Sequence, residues 1–190
     1  MDRIEEAKAY VQVLFEHNSG GHDAAHTLRV YANAMRIALS EPGCDREIVA
    51  LAALLHDADD HKLFRTEHNA NARAFLEAHG VEKERTERIV AAVNSVSFSQ
   101  NRGRRPGSLE GRIVQDADRL DAIGAVGIAR AFAYGGEHGR DMKDSIRHFY
   151  DKLLLLKGEM NTEMGQRMAE ERHAYMEAFL KEYEKETEGT

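Results

Sequence analysis

From Ile48 to Leu55 the chain carries no polar side chain, and the residues that follow include His56, Asp57, Asp59, Asp60, His61 and Lys62. A run of that kind has to be buried, since each Å² of apolar surface left in water costs roughly 25 cal/mol. Its last turn therefore reaches the wall of a hydrophobic core, and His56 and Asp57 emerge where charges are partly stripped of water. Isolated charges in such a place are costly. A metal cation removes the cost, because a neutral imidazole nitrogen and a carboxylate oxygen both become ligands. Two neighbouring ligands at one helix end do not complete a site, so others must come from elsewhere in the chain.

The surrounding sequence is helical in its periodicity, with only 2 prolines in 190 residues. The pattern predicts helices over about Asp2–Glu16, from Asp23 to before Pro42-Gly43, and from Asp45 into His56-Asp57. Further helices are expected from Thr66 or Glu67 to Gly80, over Lys83–Val96 and over Leu109–Ile123. The C-terminal part reads as Ala125–Tyr134, ended by Gly135-Gly136, then Asp144–Lys157 and Thr162–Glu186. Residues 97–108 form the one long loop-like stretch, and Arg102, Arg104 and Arg105 make it locally basic. No repeat or interdomain linker interrupts the chain. The expectation is one all-α domain over residues 1–190, a compact helical bundle. Its metal-binding core spans about 20–125, and helices over 144–186 complete a pocket.

Two stretches can supply the missing ligands. GHDAAHTLRV places His22 and His26 at i, i+4, with Arg29 a turn beyond. VQDADRLDAIGA offers Asp116, Asp118 and Asp121 among apolar neighbours, and spacing alone does not choose between them.

A His in an early helix, a His-Asp pair ending a hydrophobic helix and a distant Asp followed by Arg-Leu resemble the HD superfamily of metal-dependent phosphohydrolases. The segments GHDAAHTLRV, DADRLDAIGAVGIARAFAYGG and HFYDKLLLLKGEMNTEMGQRMAEERHAYMEAFL resemble its small YedJ/YpgQ-like branch. The resemblance covers nearly the whole chain. It implies His26, His56, Asp57 and Asp118 as the metal ligands, the last from its Ala117-Asp118-Arg119-Leu120 context. Nitrogen and oxygen donors without thiolate suit one divalent ion, Mn²⁺ first, with Fe²⁺, Co²⁺, Ni²⁺ and Mg²⁺ as alternatives. Branches with two metals fit less well, because His61 lies only four residues past Asp57 and Asn94 stands where a helical histidine would be useful. The branch with His-Asp-x-Gly-Lys does not fit, because the run here is His56-Asp57-Ala58-Asp59-Asp60.

Within this resemblance Asp60 is expected to orient or deprotonate water, with Asp121 as competitor or as support for a ligand histidine. Asp59 is read as solvated. Arg29, Lys62, Lys152, Arg172 and His22 are the expected substrate-binding groups. Arg119 faces either the site or a neighbouring carboxylate. Cys44, beside Pro42-Gly43, reads as an incidental thiol.

The expected reaction is hydrolysis of a nucleotide, with pyrophosphate released from a nucleoside triphosphate. Release of orthophosphate from a nucleoside monophosphate is the alternative, and a non-catalytic metal and nucleotide sensor is the alternative of another class. A formal net charge of −7 argues against a nucleic-acid polymer as partner. No apolar run approaches the roughly 18 residues that cross a bilayer. The N-terminal MDRIEEAKAY has no signal-peptide character, and the single cysteine suits a cytoplasmic setting. A second copy of the chain is a permitted partner.

Overall fold

The computed structural model describes residues 2–16, 18, 23–97, 101 and 103–188. Among them there is no strand, and the all-α expectation holds. The chain forms two compact units, Met1–Asp118 and Arg119–Thr190.

The first unit is built around the apolar run. It contains α1 (Arg3–Leu14), α2 (Ala24–Ala38), α3 (Arg46–Leu55), α4 (Ala70–Ala78), α5 (Lys83–Asn94) and most of α6 (Leu109–Asp121). Helix α3 packs against α1, α2 and α5. Every residue from Ile48 to Leu55 is buried, so this helix has no solvent face apart from its first turn.

Three helix starts of this unit follow directly from aspartates. Asp2 accepts from the Ile4 amide at 3.0 Å, Asp23 from His26 at 2.6 Å, and Asp45 from Glu47 and Ile48 at 3.1 and 3.2 Å. Each satisfies amides that a first turn leaves without partners. Asp45 is held in turn by Arg85 at 2.7 Å.

Helix α4 departs from expectation. It begins at Ala70, not at Thr66 or Glu67. The residues before it, His68 and Asn69, both have φ of 57°, a left-handed backbone that helix cannot pass through.

The second unit holds α7 (Gly124–Glu137), α8 (Met142–Asp151), a 3₁₀ segment (Leu153–Glu159) and α9 (Glu163–Thr187). Helix α7 packs on α8 and α9, and the 3₁₀ segment on α8 and α9. Phe149 touches Phe132 and Phe179, each with ring centroids 6.0 Å away. Two expectations fail here. Gly135-Gly136 does not end α7, which continues to Glu137 and stops at Gly139, φ 66°. Gly135 instead allows close approach, since a Cβ there would sit 2.5 Å from the Ser145 hydroxyl oxygen. The expected helix Asp144–Lys157 is broken at Lys152 (φ −141°, ψ −57°) and resumes as 3₁₀.

Truncating the core of α3 tests this description. Leu54→Ala, at a fully buried position, is expected to cost about 2–5 kcal/mol in urea unfolding. Leu39→Ala, at a position 68% exposed, should stay within about 0.5 kcal/mol of the unmodified chain.

Candidate metal centre

Three helices of the first unit deliver ionisable side chains to one point. His26 lies in the first turn of α2, His56 caps the C-terminus of α3 with Asp57 directly after it, and Asp118 comes from the last turn of α6. Ligand atoms of His26, His56 and Asp118 all lie within 4.8 Å of one another. The two imidazole Nε2 atoms are 3.3 Å apart. Asp57 Oδ2 is 3.5 Å from His26 Nε2 and 3.3 Å from His56 Nε2. Asp118 Oδ1 is 3.4 Å from His26 Nε2 and 3.9 Å from His56 Nε2. Both histidine side chains are 2% exposed, and Asp118 is 24% exposed. One edge of the cluster therefore meets solvent while the other is sealed.

The donor set itself calls for a cation. His56 Nδ1 lies 2.9 Å from the Ala53 carbonyl oxygen, which can only accept, so Nδ1 carries hydrogen. In the neutral ring Nε2 then presents a lone pair to carboxylate oxygens and to another imidazole. Lone pairs at these distances repel unless a proton or a metal ion lies between them. Burial disfavours an imidazolium at His56. The charge of Asp57, its hydrogen bond, and then Asp118 outweigh burial and push the pKa up to about 9. At Asp118 burial acts to raise the pKa, but the hydrogen bond from His26 and the charge of His56 dominate and lower it. The side chains present thus fit a divalent ion. The Nδ1 hydrogen bond to a backbone carbonyl is the usual way a ligand imidazole is oriented.

The other expected site residues lie in varied settings. Arg29 is on α2, one turn after His26 and half-buried. Asp60 folds back on its own turn, where Oδ1 accepts from the Lys62 amide at 2.8 Å. Its carbonyl accepts from the Leu63 and Phe64 amides at 2.9 and 2.8 Å. Lys62 is exposed. His22, and Arg102 of the basic loop, fall outside the described residues.

Asp121, Lys152 and Arg172 belong to the second unit. There Asp121 is 1% exposed and pairs with Arg130 at 2.5 Å. Arg172 donates to the Leu120 carbonyl. Its side chain lies against Gly124, φ 77°, where a Cβ would come within 3.0 Å of it. Lys152 stands at the break between α8 and the 3₁₀ segment. Arg119 faces a carboxylate, pairing with Glu159 at 3.1 Å and donating to the Glu159 carbonyl.

Asp59, read from the sequence as solvated, is engaged. Its two carboxylate oxygens accept from the amides of Asn71 and Ala72 at 2.9 and 3.0 Å. No local signal announces a cap that comes from a dozen residues upstream.

The sequence profile of the HD domain matches residues 23–123. YpgQ of Bacillus subtilis (strain 168) is 41% identical over 198 residues, covering 100% of this chain and 96% of its own. The crystal structure of YpgQ in complex with ADP has a TM-score of 0.84 at 39% identity and covers 98% of both chains. An HD-superfamily hydrolase from Bacillus thuringiensis has a TM-score of 0.82 at 40% identity, covering 100% of this chain and 98% of its own. The chain belongs to the HD domain family and is a metal-dependent phosphohydrolase of that class. The domain implies a divalent metal, and the donors that converge for it here include His26, His56 and Asp118.

The raised pKa at His56 gives a pH dependence. Its folded value of about 9 lies above that of an unfolded histidine. In chelator-treated protein the proton-bridged corner stabilises fully below about pH 6.5 and loses that contribution as pH rises through the folded value. A divalent ion must displace the same proton. Its apparent affinity is therefore expected to rise by up to about tenfold per pH unit before levelling off. Calorimetric Mn²⁺ titrations across that range, in buffers of different ionisation enthalpy, would also show the released proton. Affinity that does not change with pH would contradict the arrangement.

Proposed function

We propose that this chain hydrolyses nucleotides with the aid of one divalent ion, Mn²⁺ in the first instance, and releases pyrophosphate from nucleoside triphosphates. The observation that carries the reading is the convergence of imidazole nitrogens and carboxylate oxygens on one partly open point. His26, His56, Asp57 and Asp118 would hold the ion. When bound, such an ion supplies Lewis-acid charge to a phosphoryl oxygen and lowers the pKa of a coordinated water. Four protein donors leave room for both in an octahedral shell. The ADP in the YpgQ crystal structure supports a nucleotide as the ligand class.

The remaining chemistry falls to side chains of this chain. Asp60, three residues after Asp57, is proposed to orient the attacking water and accept its proton while the phosphoanhydride bond breaks. Asp121 is the weaker candidate because Arg130 occupies it. Arg29, a turn from His26, and Lys62, just after the motif, are proposed to meet the phosphate charge.

Incubating the Mn²⁺-loaded protein with a nucleotide panel and assaying both pyrophosphate and orthophosphate tests the reading. Pyrophosphate from triphosphates is expected. Orthophosphate from monophosphates would favour phosphatase activity, and nucleotide-induced stabilisation without product would favour a sensor. Asp57→Ala is expected to lose metal and turnover by more than the roughly 10–100-fold typical of supporting groups. Cys44→Ser should leave both intact.

A further inference from the structure

The start of helix α4 is built unusually. Its N-cap position, Asn69, has a left-handed backbone (φ 57°, ψ 45°) and makes no side-chain bond to the helix. The amides of its first turn are instead satisfied by Asp59, one carboxylate oxygen to Asn71 N at 2.9 Å and the other to Ala72 N at 3.0 Å. The bond is returned from the helix side, where Asn71 Nδ2 donates to the Ala58 carbonyl at 2.7 Å. Three hydrogen bonds thus join residues 58–59 to residues 71–72 and close the segment between them into a loop. The outer side of that loop is held as well, with the His68 carbonyl accepting from Arg73 Nε at 3.0 Å.

The placement of this latch matters because Ala58 and Asp59 immediately follow Asp57. The chain leaves α3 by consecutive turns, Ala58 N to Leu55 O and Asp60 N to Asp57 O, both at 3.1 Å. Ala58 is fully buried. On one side the turn is fixed by α3. On the other, the Asp59 carboxylate and the Ala58 carbonyl are bonded to the start of α4. A carboxylate facing a helix N-terminus is also held by the positive end of the helix dipole.

We propose that Asp59 and Asn71 are positioning residues for the metal centre, working through Asp57 and without touching the ion. The latch holds the turn after α3 so that Asp57 presents its carboxylate to the two imidazoles, and it also sets where Asp60 stands. This rests on the metal-centre reading above. It assigns a role to two side chains that lie outside the donor set.

The experiment compares Mn²⁺ affinity, by calorimetry or by the electron paramagnetic resonance signal of free Mn²⁺, across the unmodified chain, Asp59→Ala, Asp59→Asn, Asn71→Ala and Asp2→Ala. The last removes an ordinary cap at the start of α1 and controls for general loss of stability. Asp59→Ala and Asn71→Ala are expected to weaken Mn²⁺ binding about 10–100-fold in protein that remains folded by circular dichroism. Asp59→Asn keeps one acceptor oxygen and should recover part of the loss, while Asp2→Ala should lower Tm and leave the affinity alone. If Asp59→Ala does not fold, Asn71→Ala decides by the same criterion. Binding by the unmodified chain that Asp59→Ala and Asn71→Ala leave within about twofold overturns the inference alone. Failure of the unmodified chain to bind Mn²⁺ overturns the metal reading and this inference together.

Discussion

The architecture of the first unit depends on placing two imidazoles and two carboxylates against one another at the end of a helix that is otherwise buried. Without a cation this is unfavourable, because His56 has already committed its Nδ1 hydrogen to the Ala53 carbonyl. Its other nitrogen must share space with acceptors 3.3 Å away. A proton resolves the conflict in part, which is why the His56 pKa rises. A divalent ion would meet the same donors with a larger positive charge. The surrounding helices serve that point. Helix α3 is pinned by α1, α2 and α5, α2 brings His26 within its first turn, and α6 brings Asp118 at its last.

Much of this was legible in the residues. Asp2, Asp23 and Asp45 announce helix starts because an aspartate before an apolar periodic run can reach its own first-turn amides. The ordered His26, His56-Asp57 and Asp118 set pointed to one locus, and the side chains meet there. What escaped was non-local. The start of α4 was placed too early because its cap is Asp59, which reaches it across a loop. Gly135-Gly136 looked like a stop, yet inside α7 the glycine serves contact with Ser145. The break at Lys152 and the change to 3₁₀ have no counterpart in the apolar pattern of residues 144–157.

Charged residues were harder to read than apolar ones. Arg119, Asp121 and Arg172 all follow closely on Asp118 or fall in segments resembling the hydrolase branch, so chemistry was a natural assignment. In the second unit each has a partner: Arg119 with Glu159, Asp121 with Arg130, Arg172 with the Leu120 carbonyl. A long cationic side chain near a helix end can as readily satisfy a terminal carbonyl as bind a phosphate. Sequence spacing does not distinguish the two uses.

The apolar run Ile48–Leu55 has another consequence, which concerns the chain before it folds. Eight successive hydrophobic residues without proline form a segment prone to self-association when exposed on a nascent or unfolded chain. Asp45, Arg46 and Glu47 flank it on one side, and Asp57, Asp59 and Asp60 on the other. The carboxylates grouped after its C-terminal end thereby also act as gatekeepers, their mutual repulsion discouraging intermolecular stacking until burial removes the hazard.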